Sequence, residues 1–198
     1  MLPKDLYTIV TKSLHMEQKI YNHEIVLNLL KGQNHLRQIS KDIKMNHMTV
    51  KRALDLMLKE NILDVREEGK NNVFSIKKSI EAHNAVLAAE IYRLNKFIKK
   101  HPELKREILE LKKSKAMVII FGSHANEAET KSSDIDIFVD STNTKIKENI
   151  SKLNPIFSVK LGKYDKNNLL MKEIEKNHII VKGFEVFYEK SGFFDRLA

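Results

Sequence analysis

At Met117 the spacing of apolar residues changes. Upstream, apolar side chains recur mostly at three- and four-residue intervals, the period of an amphipathic helix. From MVIIF onward the period drops to two, and short strand-like runs alternate with helical ones. Alternation of strands and helices begins at this switch, while the expected domain boundary lies earlier, at Pro102, where a long helical pattern ends. Only six glycines and three prolines punctuate the 198 residues, which predicts that helices dominate.

Residues 1–20 allow an amphipathic arm through Leu6, Ile9, Val10 and Leu14. EIVLNLLKG predicts a helix stopped at Gly32. HLRQISKDIKM predicts a second helix with Leu36, Ile39 and Ile43 inward. MNHMTVKRALDLMLKENIL predicts a third, with Val50, Ala53, Leu54 and Met57 on one face. LDVREEGKNNVFSIKK then predicts a hairpin, with Leu63 and Val65 alternating against polar neighbours, EEGKNN turning, and Val73, Phe74 and Ile76 returning. Residues 80–100 predict a long helix using Val86, Leu87, Ile91, Leu94 and Ile98, ended by Pro102. ELKREILELKKSK follows as another helix. Strands are expected at 117–121, 135–139 and 156–161, helices at 143–153 and 166–176, and the tail HIIVKGFEVFYE as a packed apolar segment. The expected architecture is α+β in two domains: 1–79, a linker helix 80–102, and 103–198, the last built on a small mixed sheet.

Composition narrows function. The chain is 42% hydrophobic and carries a formal net charge of +9, which favours a polyanionic partner such as nucleic acid. With no cysteine, disulfides and thiolate chemistry are excluded, and any metal site must use oxygen or imidazole ligands. No apolar run reaches the roughly 20 residues of a membrane-spanning helix. MLPKDLYTIVTKSL lacks the features of a signal peptide, so a cytoplasmic protein without a membrane partner is the expectation.

In the third predicted helix, burying Val50 and Leu54 leaves His47, Met48, Thr49, Lys51, Arg52 and Asp55 for solvent or a DNA groove. The hairpin tip Gly69-Lys70-Asn71-Asn72 offers ammonium and amide donors to a phosphate backbone or a minor groove. Residues 1–80 hold 14 Lys/Arg against 9 Asp/Glu. The segment ISKDIKMNHMTVKRALDLMLKENIL, with a tight turn at Lys44-Met45-Asn46, resembles the winged helix-turn-helix regulators over about residues 22–78. That resemblance implies DNA binding through His47, Thr49, Lys51 and Arg52 on the recognition helix and Lys70 and Asn71 on the wing. A winged helix used for docking a protein is the other reading of the same surface.

VIIFGSHANEAETKSSDIDIFVD, from Val118 to Asp140, carries the chemistry. A strand ending in Gly122-Ser123 lets the backbone approach a phosphate, and the hydroxyl can donate to it. Eleven residues after Ser123 comes Asp134, followed by Asp136. Alternation on a strand points both carboxylates one way and Ile135, Ile137 and Val139 the other. Two such carboxylates beside a triphosphate suit Mg²⁺, which takes oxygen ligands and substrate phosphates together. The segment resembles the nucleotidyltransferase superfamily of the DNA polymerase β type, over about residues 103–190. Gly122, Ser123, Ser133, Asp134 and Asp136 match its strand, Gly-Ser, short helix and Ser-Asp-x-Asp pattern without insertion. The resemblance implies nucleotide binding at Gly122, Ser123 and Ser133, and metal binding and catalysis at Asp134 and Asp136, with Mg²⁺ as cofactor and an NTP as ligand or substrate. Two departures stand out. Asn126-Glu127 occupies the place of the Arg-Gly usual in minimal members. The next strand, PIFSVKLG, lacks the third carboxylate of active members, and Asp165 and Glu185 lie beyond it.

His124 could contact phosphate or pack against the strand edge, and His178 is expected to be structural. No HxxxH pair falls on a predicted helix, so no zinc site is expected. The broad apolar stripe of 80–100 suits packing between domains or a homodimer. A winged helix joined to a nucleotidyltransferase-like domain resembles a group of prokaryotic, largely archaeal proteins. Two functions follow: a DNA-binding transcriptional regulator whose second domain binds Mg-NTP, or an active Mg²⁺-dependent nucleotidyltransferase. The second would transfer a nucleoside monophosphate to a hydroxyl of a protein, RNA or small molecule, including a toxin-like protein partner in an antitoxin-like role.

Overall fold

The computed structural model describes residues 20–126, 128–130 and 133–194. The expected arm through Leu6 to Leu14, and Glu127 in the place of the family's glycine, lie outside the described residues. The chain divides into two compact units between Ala89 and Glu90, within one long helix.

The first unit begins with helix α1, described from residue 20 to 29. Strand β1 (Asn34–His35), helix α2 (Leu36–Asp42) and helix α3 (His47–Lys59) follow. Strands β2 (Leu63–Glu68) and β3 (Asn71–Ile76) then form an antiparallel hairpin. The turn between α2 and α3 closes in two steps. Lys44 takes the left-handed φ of 54°, and the Asn46 side chain caps α3 by accepting a hydrogen bond from Met48 N–H at 2.8 Å. Val50, Ala53, Leu54 and Met57 are all buried, as their spacing predicts.

Three details of this unit differ from expectation. The hairpin is tighter than EEGKNN suggests: its strands run to Glu68 and Asn71, leaving Gly69 and Lys70 as the loop, with Gly69 at φ 61°. β1 pairs with β3, giving a three-stranded sheet in the order β1-β3-β2; two residues are too few to show a period in sequence. Val65 is 44% exposed, because β2 is the edge strand and is exposed past Leu63, although its partners Val73 and Phe74 on β3 are buried.

Helix α4 (Ile80–Lys100) buries Ala82, Val86, Ala89, Glu90, Leu94 and Phe97. Ile91, expected inward, is 48% exposed; the buried stripe runs through Glu90 instead.

In the second unit a turn at Pro102–Leu104 leads into α5 (Lys105–Leu111). There follow β4 (Val118–Phe121), β5 (Ile135–Asp140), α6 (Thr144–Ser151), β6 (Phe157–Gly162), α7 (Leu169–Lys176), β7 (Ile179–Lys182) and α8 (Phe184–Ser191). The sheet order is β6-β5-β4-β7. Only the β5–β6 pair is parallel, as expected of strands joined by a crossover helix. Val118, Ile120, Ile135, Ile137, Val139, Phe157, Val159, Ile179 and Val181 form one sheet face and join a core with Leu94, Phe97, Ile108, Leu111 and Ile150. Helix α7 starts at Leu169 rather than 166, because Asn168 caps it by accepting from Leu170 N–H at 2.8 Å.

Candidate functional site

The other face of the sheet begins at the corner between β4 and β5. Gly122 opens a single 3-10 turn, Gly122–His124, with φ +72°. Its carbonyl accepts from Ala125 and Asn126 N–H, both at 3.1 Å, and the Ser123 carbonyl accepts from Ala128 N–H at 3.0 Å. These bonds turn the chain sharply off the end of β4. Phe121 pairs with Asp136, which brings the Asp136 carboxylate over Gly122. A Cβ at residue 122 would lie 2.7 Å from Asp136 Oδ2, so glycine is what lets backbone and carboxylate meet.

Asp134 is exposed and sits one residue before β5; Asp136 is half-buried. Ile135, Ile137 and Val139 are 0–1% exposed on the opposite face, as the alternation predicts. Ser123 and Ser133 are both half-buried. The Ser133 hydroxyl accepts from Thr130 N–H at 2.9 Å and lies 3.0 Å from Thr130 Oγ1, which folds the end of the loop just ahead of Asp134. His124 is 8% exposed and its Nε2 lies 3.3 Å from the Ser133 carbonyl oxygen. This contact ties the two ends of the loop together, and the His124 ring lies edge-on to Phe97 and His101.

Residues 101–194 match the family model of the nucleotidyltransferase domain. The second unit carries a nucleotidyltransferase-like domain. No curated protein matches the chain.

Within this domain the register of β6 shows what stands beside the acids. Ser158 pairs with Asp136 and Lys160 with Phe138, so Ser158 and Lys160 share the acids' face. The Lys160 ammonium lies 5.2 Å from the centre of the Phe121 ring. β6 contributes no carboxylate. Asp165 instead shapes the turn before α7, accepting from Asn167 N–H at 2.9 Å, and Glu185 is exposed in the first turn of α8. Asp140, farther along β5, is engaged by Lys190 Nζ at 2.5 Å and Tyr164 N–H at 3.1 Å.

The second unit also holds a buried ionic group. Glu90 is 0% exposed. It accepts from the Tyr188 hydroxyl at 2.7 Å, faces His178 Nε2 at 3.3 Å, and lies 3.5 Å from Arg93. Burial pushes its carboxyl up, but His178, Arg93 and the Tyr188 hydroxyl together hold it below the usual value. Burial and the neighbouring Glu90 push the Tyr188 phenol well up. His178 Nδ1 lies 2.8 Å from the Ile174 carbonyl oxygen, so this histidine joins α4, α7 and α8. The role of Glu90 is invisible in sequence, since it reads as one more polar residue on an amphipathic helix.

In the first unit His47, Lys51 and Arg52 are exposed along α3, Thr49 is half-buried, and Lys70 and Asn71 are exposed at the hairpin tip. The face of α3 opposite Val50 and Leu54 is therefore open to solvent, and it carries the cations Lys51, Arg52 and Lys59 with Asp55.

Proposed function

We propose that this chain is a DNA-binding transcriptional regulator with a winged helix-turn-helix in its first unit, and that its nucleotidyltransferase-like domain binds a Mg²⁺–nucleoside triphosphate. The observation that carries the nucleotide part is the contact between Gly122 and Asp136: a cradle that any Cβ would fill, opening beside two oxygen donors. Such donors fit Mg²⁺, which takes carboxylates together with substrate phosphates. Asp134 and Asp136 would hold the ion, while Gly122 and Ser123 admit and orient the phosphates and Ser133 fixes the loop that delivers Asp134. Held there, Mg²⁺ would supply neutralisation of phosphate charge and polarisation of the α-phosphate. Ser158 in the place beside Asp136 favours binding over transfer, because β6 offers no third carboxylate to accept the proton of an attacking hydroxyl.

The DNA part rests on α3. Its buried and exposed residues separate cleanly, and a two-residue hairpin loop presents Lys70. In such folds the helix N-terminus reads base edges while lysine and arginine neutralise phosphate.

Equilibrium binding of a fluorescent ATP analogue tests the nucleotide reading: affinity should require Mg²⁺ and fall by roughly tenfold or more in Asp136→Asn. Mg²⁺-independent binding, or binding unchanged in that variant, overturns it. Label transfer from α-labelled NTP to protein, RNA or a small-molecule hydroxyl, abolished by Asp134→Ala, would instead establish the enzyme.

A further inference from the structure

Beside the Gly122 corner, three ligand-type side chains from separate parts of the chain converge. His101 follows the last residue of α4, His124 ends the 3-10 turn, and Glu129 lies in the loop toward β5. One ligand atom from each falls within 4.8 Å of the others. Among the described residues, His101 Nε2, His124 Nδ1 and Glu129 Oε2 are all buried polar atoms without a hydrogen-bond partner. The approach of His101 Nε2 to Glu129 Oε1, at 3.7 Å, is too long to be a hydrogen bond. An unsatisfied buried polar atom is destabilising, and three in one place point to a shared ligand.

The opposite edge of each side chain is occupied. His101 Nδ1 lies 3.4 Å from Glu103 Oε1. His124 Nε2 lies 3.3 Å from the Ser133 carbonyl oxygen. Glu129 Oε1 is taken by Lys100. Carboxylate or carbonyl on one imidazole nitrogen leaves the other as a lone pair, the arrangement by which outer groups orient metal-ligating histidines. We propose that His101, His124 and Glu129 bind one Zn²⁺, a site separate from the Asp134–Asp136 pair. Two imidazoles and a carboxylate suit zinc rather than Mg²⁺, which prefers oxygen alone. The two histidines stand on different elements, so no HxxxH pattern announces them. A tetrahedral ion with bonds near 2.0–2.1 Å needs ligand atoms about 3.3 Å apart, so closing the site takes side-chain movements on the order of an ångström. The bound ion fastens the loop carrying Ser133 and Asp134 to the end of α4.

The test uses the 198-residue chain, stripped with chelator and titrated with Zn²⁺ against a chromophoric competitor, with Co²⁺ as a spectroscopic substitute. One Zn²⁺ per chain is expected, with intense visible Co²⁺ bands. His101→Gln and Glu129→Gln should each weaken binding by roughly 100-fold, and Glu103→Gln by roughly tenfold through the outer contact. His35→Gln and the double variant Asp134→Asn/Asp136→Asn should bind as the parent does, which separates this site from the nucleotide reading. Full-strength binding in His101→Gln and Glu129→Gln, or loss in the Asp134/Asp136 variant, overturns the assignment. Should the His101 or Glu129 variants fail to fold, the parent chain decides alone: absent stoichiometric Zn²⁺ and absent intense Co²⁺ bands overturn it.

Discussion

At φ +72° and with Asp136 Oδ2 2.7 Å from where a methyl group would stand, Gly122 leaves no room for a side chain. Gly122→Ala combines left-handed strain of about 1–2 kcal/mol with a clash against a carboxylate. A loss of about 2–3 kcal/mol in urea-unfolding stability is expected, together with loss of nucleotide binding. Glu90 gives a second test at this scale. Glu90→Ala leaves His178 and Arg93 without their buried partner and should lower stability by about 3–5 kcal/mol. The pH dependence has a definite sign. The folded carboxyl sits below its ordinary value of 4.5, so as pH falls the unfolded chain takes up the proton first. The stabilisation is complete above that ordinary value and is lost as pH falls through the lower folded one. Acid titration of the unfolding midpoint should show a decline beginning near 4.5 that is smaller in Glu90→Ala. The turn at Gly122 and the alternation that separates Asp136 from buried Ile135 and Ile137 were legible in sequence, because a glycine ending a strand and a period of two are short local patterns. His101 and Glu129 were not, because they lie on separate elements and meet His124 only in space, which leaves no short pattern.

Among single elements, α3 is the most fully specified piece of the first unit. Val50, Ala53, Leu54 and Met57 are buried, so Leu54→Ala should cost about 2–5 kcal/mol in unfolding free energy. Lys51→Ala/Arg52→Ala touches only exposed positions and should leave the thermal midpoint unchanged while weakening DNA binding. Periodicity describes this helix well because its apolar stripe and its Asn46 cap are both local. It fails at Ile91 and Val65, which are apolar yet 48% and 44% exposed. Whether an apolar residue is covered depends on what packs over it, and a period cannot show that. The start of α7 is set by the same kind of local detail: Asn168 caps the helix two residues after the position that the apolar pattern suggests.

Across the whole molecule, a net charge of +9 and the cations on α3 mean that the proposed DNA binding should weaken steeply with salt. Titration at two salt concentrations should show a negative slope of log affinity against log salt, shallower in Lys51→Ala/Arg52→Ala; no binding at low salt would contradict the DNA reading. Among the described residues no helix is long and apolar enough to cross a membrane. The change of period at Met117 marks where the strands of the second sheet begin. The division between the units falls earlier, inside α4, where the helical pattern runs on unbroken and leaves no mark in sequence. The central claim is that the nucleotidyltransferase-like domain holds a Mg²⁺–nucleotide at Asp134 and Asp136. Calorimetric titration of NTP into the parent chain and into Asp136→Asn, with and without Mg²⁺, tests it most directly. One Mg²⁺-dependent site per chain is expected, weakened by roughly tenfold or more in Asp136→Asn; NTP binding that ignores both Mg²⁺ and the substitution would contradict it.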